Sequence, residues 1–175
     1  MLNLRQIDYK FYLSGGWQNV PKDLDELKYL GIKAILDLQF IPWETMYDKN
    51  DTLSSIKFIT DEAKEEDIHY EAILMRDDEH NVYLPDLLLQ GYEFLVSMEK
   101  VYSKRKDKIL IKCGAGISRS PAMLINYLCI KNRWSYVEAL NYIREKEEYQ
   151  VQFGTSPNQF FAEYLRNTYK DVDYA

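Results

Sequence analysis

The chain has 175 residues and a mass of 20.8 kDa, which is enough for one domain with its own apolar core. Apolar residues make up 46% of it and charged residues 29%, values that argue against a disordered chain or a coiled rod. The net charge of −6 argues against a nucleic-acid-binding surface, so any bound anion must be held by a local site.

Patterns of membrane and exported proteins are missing from the sequence. No apolar run reaches the length of a membrane span, and residues 1–5 lack the basic and apolar regions of a signal peptide. The two cysteines, Cys113 and Cys129, form no CxxC motif and have no histidine cluster beside them. We therefore expect a cytoplasmic or otherwise intracellular protein in a reducing compartment, with no membrane partner, no nucleic-acid partner, no metal and no cofactor.

The first half of the chain alternates between strand and helix patterns. Short apolar runs at residues 11–13 and 34–38 predict strands, and residues 21–31 between them carry the apolar spacing of a helix that ends at a glycine. Residues 53–66 have helical spacing again, and residues 68–75 read as another strand.

The second half continues this alternation, with turn and cap signals between the elements. Its predicted elements are a helix at 84–103, a strand at 109–111, a glycine-containing turn at 113–119, and helices that open at Ser120, at the capping box of Ser135 and Glu138, and at Pro157. Alternating strands and helices predict an α/β fold, a single domain over residues 1–175 with a mainly parallel central sheet flanked by helices.

The turn at 113–119 carries the chemistry. It places the thiol of Cys113 and the guanidinium of Arg119 six positions apart, between a strand and a helix. Glycines let the backbone curl so that its N–H groups point into one concavity that suits a phosphate, and an arginine can bind two phosphate oxygens at once. The predicted phosphate-binding residues are Gly114, Ala115, Gly116, Ile117, Ser118 and Arg119.

Such a loop can catalyse the removal of a phosphate. N–H dipoles and a guanidinium favour the thiolate of Cys113, which can attack phosphorus and form a phosphocysteine that water then hydrolyses. Ser120 can donate a hydrogen bond to the sulfur as it leaves. The leaving oxygen needs an acid, and the loop after strand 68–75 offers Asp77 and Asp78 side by side.

This loop resembles that of the dual-specificity protein tyrosine phosphatases, which reads His-Cys, five residues, Arg, then Ser or Thr. Cys113, Gly116, Arg119 and Ser120 match it. The likeness extends to residues 12–15, 31–38 and 157–161, which resemble the family's first strands and its last helix. An alignment through residues 74–78 and 92–95 puts the family's catalytic aspartate on Asp78 without a gap, whereas Asp77 needs one. The resemblance therefore implies Asp78 as the general acid, with Asp77 as the alternative.

The resemblance implies a protein tyrosine phosphatase-like fold and a phosphorylated protein as substrate. The shallow pocket of this family accepts phosphotyrosine and also phosphoserine and phosphothreonine. Residues 114–118 contain no basic side chain, which favours a protein substrate over a phosphoinositide. One departure stands beside the nucleophile, because Lys112 occupies the position where the family has histidine.

Two alternatives follow from this departure and from the unknown substrate. The chain could bind phosphorylated partners as a pseudophosphatase with weak catalysis, or it could act on a phosphate ester that is not a protein. Cys129, nine residues into the helix after the loop, is interpreted as a core residue and not as a redox partner of Cys113.

Overall fold

The computed structural model describes residues 3–39, 46–78, 81, 83–151 and 154–170. The strands of these residues are β1 (Arg5–Gln6), β2 (Phe11–Ser14), β3 (Ile32–Gln39), β4 (His69–Leu74) and β5 (Lys108–Lys112). The helices are α1 (Val20–Tyr29), α2 (Met46–Glu65), α3 (Leu84–Val101), α4 (Arg119–Asn132), α5 (Tyr136–Glu147) and α6 (Gln159–Thr168).

The strands form one sheet in the order β1-β2-β5-β3-β4. β5 lies parallel to both β2 and β3, and β4 lies parallel to β3. Among the described strands β1 alone runs antiparallel, and it pairs with β2 at one edge of the sheet. The predicted α/β fold with a mainly parallel sheet between helices is confirmed. Because β5 is the middle strand, the loop that follows it lies at the centre of the edge formed by the carboxyl ends of the parallel strands.

Alternate residues of β5 pack into two cores on opposite faces of the sheet. Ile109 and Ile111 belong to the larger core, which is covered by α3, α4, α5 and α6. Leu110 points the other way, into a smaller core with residues of α1 and α2 such as Leu24 and Ala63. Because side chains alternate along a strand, Lys112 at the end of β5 lies on the α1 and α2 side.

Side-chain caps fix where several helices begin. Asn19 caps α1 by accepting from the Lys22 N–H at 3.2 Å. Ser135 and Glu138 form the predicted capping box of α5. Asn158 caps α6, accepting from the first N–H groups of that helix. These short-range signals were readable in the sequence, because a cap joins residues only two or three positions apart.

Two elements differ from the sequence prediction. β1 was not predicted, because two residues are too few to show an alternating pattern. α2 begins at Met46 and not at residue 53, since the apolar spacing that predicted it starts only with the later turns. No helix in the described part of the chain is both long and apolar enough to cross a membrane.

Candidate active site

The loop between β5 and α4 has its carbonyl oxygens turned outward. Each carbonyl of residues 114–117 accepts a hydrogen bond from outside the loop: Gly114 from Gly16 N–H at 2.6 Å, Ala115 from Asn3 Nδ2 at 3.1 Å, Gly116 from Arg5 Nη2 at 2.5 Å and Ile117 from Ser156 N–H at 2.8 Å. The N–H and C=O of a trans peptide point in opposite directions, so the N–H groups of residues 115–118 face the interior. This arrangement is an anion-binding nest.

Gly116 is the residue that lets the loop curl. Its φ of +75° lies in the left-handed region, and a Cβ at this position would lie 2.6 Å from the backbone carbon of Ser14. Both the backbone conformation and the close approach to β2 therefore require glycine.

Cys113 lies at the base of this nest and is 3% exposed. Its Sγ accepts a hydrogen bond from the Gly116 N–H at 3.3 Å and lies 3.3 Å from the Ser120 Oγ. The thiol and the hydroxyl that were predicted to act together are thus in contact. The sulfur therefore lies within hydrogen-bonding distance of a backbone donor of the loop and of a hydroxyl in the first turn of α4.

Arg119, the first residue of α4, extends from the nest to the ends of the neighbouring strands. Its Nη1 donates to the carbonyls of Leu38 at 2.9 Å and Met75 at 3.3 Å. Its Nε is buried and has no acceptor among the described residues. The guanidinium is therefore anchored on one side and keeps a donor for a ligand, which fits a tetrahedral anion in the nest.

The two aspartates of the loop after β4 have different partners. Asp77 Oδ1 accepts from the Ser118 Oγ at 2.6 Å and from the Asn158 Nδ2 at 2.8 Å. Asp78 is held by Arg76, which donates from Nε at 2.9 Å to each carboxylate oxygen. Asp77 therefore contacts the loop between β5 and α4 directly, and Asp78 is paired with Arg76.

Lys112 and Asp37 lie next to Cys113 on the α1 and α2 side, and each is 1% exposed. Lys112 Nζ lies 3.7 Å from Asp37 Oδ1 and 4.2 Å from the centroid of the Trp17 ring. Burial lowers the pKa of Lys112, and the carboxylate of Asp37 opposes this shift. A cavity of about 360 Å³ runs from these side chains to Cys113 and Arg119.

Asp37 is the centre of a buried polar cluster. Its Oδ2 accepts from Trp17 Nε1 at 2.8 Å, from Gln39 Nε2 at 2.6 Å and from the Tyr70 hydroxyl at 2.8 Å. Burial and the neighbouring carboxylate raise the pKa of Tyr70, so this hydroxyl stays protonated and remains a donor.

The second cysteine lies away from the loop. Cys129 is buried in α4, where its Sγ lies 3.5 Å from the Ser135 carbonyl, and burial raises the pKa of its thiol to about 12. It packs in the larger core, which is the interpretation given to it from sequence. Within the described ranges no three His, Cys, Asp or Glu side chains converge on a possible metal site.

Several contacts to the loop come from residues that the sequence did not single out. Asn3, Arg5, Gly16 and Ser156 hold the loop carbonyls from segments far away in the chain. For these contacts the sequence offers one visible signal, the pair Gly15 and Gly16 after β2. A glycine at position 16 allows the close approach of its backbone to that of Gly114.

The fold and this loop define a protein of the tyrosine phosphatase-like class. The family model described as the dual specificity phosphatase catalytic domain matches residues 15–171. The chain therefore belongs to the dual specificity phosphatase family.

Known proteins agree with this assignment. The chain is 40% identical over 70 residues to the tyrosine-protein phosphatase yvh1 of Schizosaccharomyces pombe, a stretch that covers 40% of this chain but only 19% of that protein. The crystal structure of the Cydia pomonella PTP-2 phosphatase superposes with a TM-score of 0.72 at 19% identity, covering 95% of this chain and 90% of that one. PTPMT1, solved in complex with PI(5)P, superposes with a TM-score of 0.68 at 19% identity, covering 95% and 94%.

Proposed function

We propose that this chain hydrolyses phosphate monoesters on protein side chains, phosphotyrosine together with phosphoserine and phosphothreonine, through a phosphocysteine intermediate. The observation that carries the proposal is the environment of Cys113. Its sulfur lies 3.3 Å from both the Gly116 N–H and the Ser120 Oγ, and the free Nε of Arg119 belongs to the same loop. A thiolate, a ring of N–H donors and a guanidinium are the groups that an in-line attack on a phosphate needs.

In the first step the thiolate forms a bond to phosphorus while the bond from phosphorus to the substrate oxygen breaks. The leaving oxygen takes a proton from a carboxylic acid. In the second step water attacks the phosphocysteine and gives its proton to the same carboxylate. The sulfur–phosphorus bond breaks, and the Ser120 hydroxyl stabilises the thiolate that leaves, from the 3.3 Å contact already present.

For the acid we propose Asp77, the residue that the sequence alignment placed second to Asp78. Contact with the phosphate loop supports it, because the Ser118 hydroxyl holds Asp77 one residue from Arg119. Asp78 instead has both carboxylate oxygens bound by Arg76 of its own loop. A general acid must first lie within hydrogen-bonding distance of the leaving oxygen, and its pKa matters only after that.

A protein substrate is supported by the side chains that surround the phosphate. Residues 114–118 supply backbone N–H groups and no basic side chain to a second phosphate. The walls of the adjoining cavity include Trp17, Val20 and Phe58, and its Lys112 is already paired with Asp37, so the cavity offers an apolar wall to an amino-acid side chain. We propose a reducing compartment as its location, because both cysteines are free and the mechanism needs a thiolate.

The test is hydrolysis of an aryl phosphate by the purified protein without added metal, with Cys113→Ser as the control. We expect turnover by the wild type and none above background in the variant. Equal rates would overturn the enzymatic function and favour a phosphate-binding pseudophosphatase. A panel of phosphotyrosine, phosphoserine and phosphothreonine peptides beside phosphoinositides then measures the substrate class, and higher kcat/KM on the lipids would overturn the protein substrate.

A further inference from the structure

Arg5, on the short strand β1, contacts the phosphate loop from behind. Its guanidinium is fully buried and donates from Nη2 to the Gly116 carbonyl at 2.5 Å, from Nε to Glu147 at 3.0 Å and from Nη1 to the Asn3 carbonyl at 3.2 Å. All three nitrogen atoms are therefore used within the protein. Arg5 differs in this from Arg119, which keeps a donor for the ligand.

Glu147, the last residue of α5, extends this support to the next loop carbonyl. Its Oε2 binds Arg5, and its Oε1 accepts from the Thr155 N–H. A Cβ at Gly154 would lie 2.6 Å from Oε1, so the backbone of this segment is pressed against the carboxylate. The next residue, Ser156, donates to the Ile117 carbonyl at 2.8 Å. The buried ion pair thus supports two successive carbonyls, one directly and one through residues 154–156.

The direction of these carbonyls decides whether N–H groups or carbonyl oxygens face the phosphate site. In a planar peptide the Gly116 carbonyl and the Ile117 N–H point in opposite directions, so a donor that holds the oxygen outward holds the N–H inward. The same relation joins the Ile117 carbonyl to the Ser118 N–H. If either peptide rotated, a carbonyl oxygen would replace an N–H donor and would repel the anion.

Stability alone does not explain the pair. A buried ion pair contributes little to folding, because desolvation offsets the attraction of the charges, and apolar side chains of similar volume stabilise a core as well or better. A bond to a loop carbonyl has no apolar substitute.

We propose that Arg5 is a positioning residue for the phosphate loop, holding the peptide between Gly116 and Ile117 so that its N–H faces the phosphate, with Glu147 holding Arg5 in place. The inference rests on the phosphatase function proposed above. Arg5 touches no substrate atom and acts through the backbone of the loop.

The experiment compares the wild type with Arg5→Met and with the double variant Arg5→Met/Glu147→Leu. The double variant removes both buried charges but also the acceptor of the Thr155 N–H, so its melting temperature is expected to lie above that of Arg5→Met and below that of the wild type. Lys10→Met is the matched control, because Lys10 is also a buried cation near the N-terminus that donates to carbonyls, those of Tyr102, Lys104 and Asp107, none of which lies in the loop. The affinity for inorganic phosphate is measured by calorimetry below the lowest melting temperature, and kcat and KM are measured with an aryl phosphate.

We expect both Arg5 variants to bind inorganic phosphate about tenfold more weakly and to lose about tenfold or more in kcat, as when one donor to a developing anion is removed. Lys10→Met should lower the melting temperature and keep wild-type phosphate affinity. A stable double variant with wild-type phosphate affinity and kcat would overturn the inference while leaving the proposed function intact. If the wild type itself neither binds phosphate nor turns over the ester, the proposed function fails and this inference fails with it.

Discussion

Lys112 Nζ lies 3.7 Å from Asp37 Oδ1, and both side chains are buried in the cavity that also contains Cys113. The family has histidine at the position of Lys112, so this chain has an amine where an imidazole is usual. Burial lowers the pKa of Lys112, while Asp37 and Cys113 oppose this shift. Asp37 therefore partly offsets the cost of burying Lys112.

Replacing Lys112 should weaken the productive binding of the phosphate ester. In Lys112→Met the amine that lines the same cavity as Cys113 and Arg119 is gone. We expect kcat/KM on an aryl phosphate to fall about tenfold, because a nearby cation attracts the negative charge of the substrate. Lys10→Met, which removes a buried cation whose hydrogen bonds go to Tyr102, Lys104 and Asp107, should keep the wild-type value. An unchanged kcat/KM in Lys112→Met would mean that Lys112 acts only in packing.

The two aspartates of the acid loop can be separated by paired substitutions. Asp77→Asn keeps an acceptor for the Ser118 hydroxyl but cannot donate the catalytic proton, so kcat on an alkyl phosphate should fall about 100-fold or more. Asp78→Asn should cost only a few-fold, through the loss of the Arg76 ion pair. The reverse order of losses would return the acid to Asp78, the residue favoured by the alignment.

Gly116 should be irreplaceable for function as well as for folding. Gly116→Ala forces a side chain into φ +75° and against the Ser14 backbone, which costs about 1–2 kcal/mol in backbone strain alone and distorts the nest. We expect a lower melting temperature and loss of phosphate binding.

The control for this substitution is Gly31→Ala. Gly31 has φ +87° and a similar close contact, 2.7 Å from the Lys106 carbonyl oxygen, but lies before β3 at the opposite edge of the sheet. It should lose stability in the same way and keep wild-type affinity for phosphate. Parallel losses of affinity in both variants would mean that Gly116 acts through global stability.

Cys129 should make the free energy of unfolding fall at high pH. Its thiol has a pKa of about 12 in the folded chain against 9.0 without burial, so the unfolded chain loses this proton first as the pH rises above 9. Stability therefore falls with rising pH between these two values, by up to about 1.4 kcal/mol per pH unit for one proton.

Cys129→Ala is the test of this dependence. The variant should unfold more readily than the wild type at pH 7, where it lacks only packing, and the difference should shrink as the pH rises above 9. Tyr70 titrates in both proteins and cancels in the comparison. Burial raises the pKa of Tyr169 and the charge of the Cys129 thiolate raises it further, so this coupling acts only in the wild type and makes the difference shrink in the same direction. A difference that stays constant from pH 7 to pH 10.5, measured by denaturant unfolding, would contradict the prediction.

Much of the fold could be predicted because its signals are local. The strands and helices follow apolar runs and periodic faces, and the capping box of Ser135 and Glu138 spans only three residues. β1 and the first turns of α2 were not predicted, because neither has an apolar pattern long enough to show a period.

The conformation of the loop at residues 113–119 was determined by the sequence alone. Cys113, Arg119 and Ser120 are close in the chain, and a strand, a glycine turn and a helix bring them together whatever surrounds them. The spacing therefore predicted the contact between the sulfur and the Ser120 hydroxyl, which lie 3.3 Å apart.

Only the tertiary structure decided which distant side chains surround this loop. The bond from Arg5 to Gly116 joins residues 111 positions apart, and that from Ser118 to Asp77 joins residues 41 positions apart. Such contacts depend on strand order and on the packing of α5 and α6 against the sheet, which no local pattern encodes. For the same reason Lys112 could be recognised from sequence as a departure, but its partner Asp37 emerged only when β3 and β5 were placed side by side.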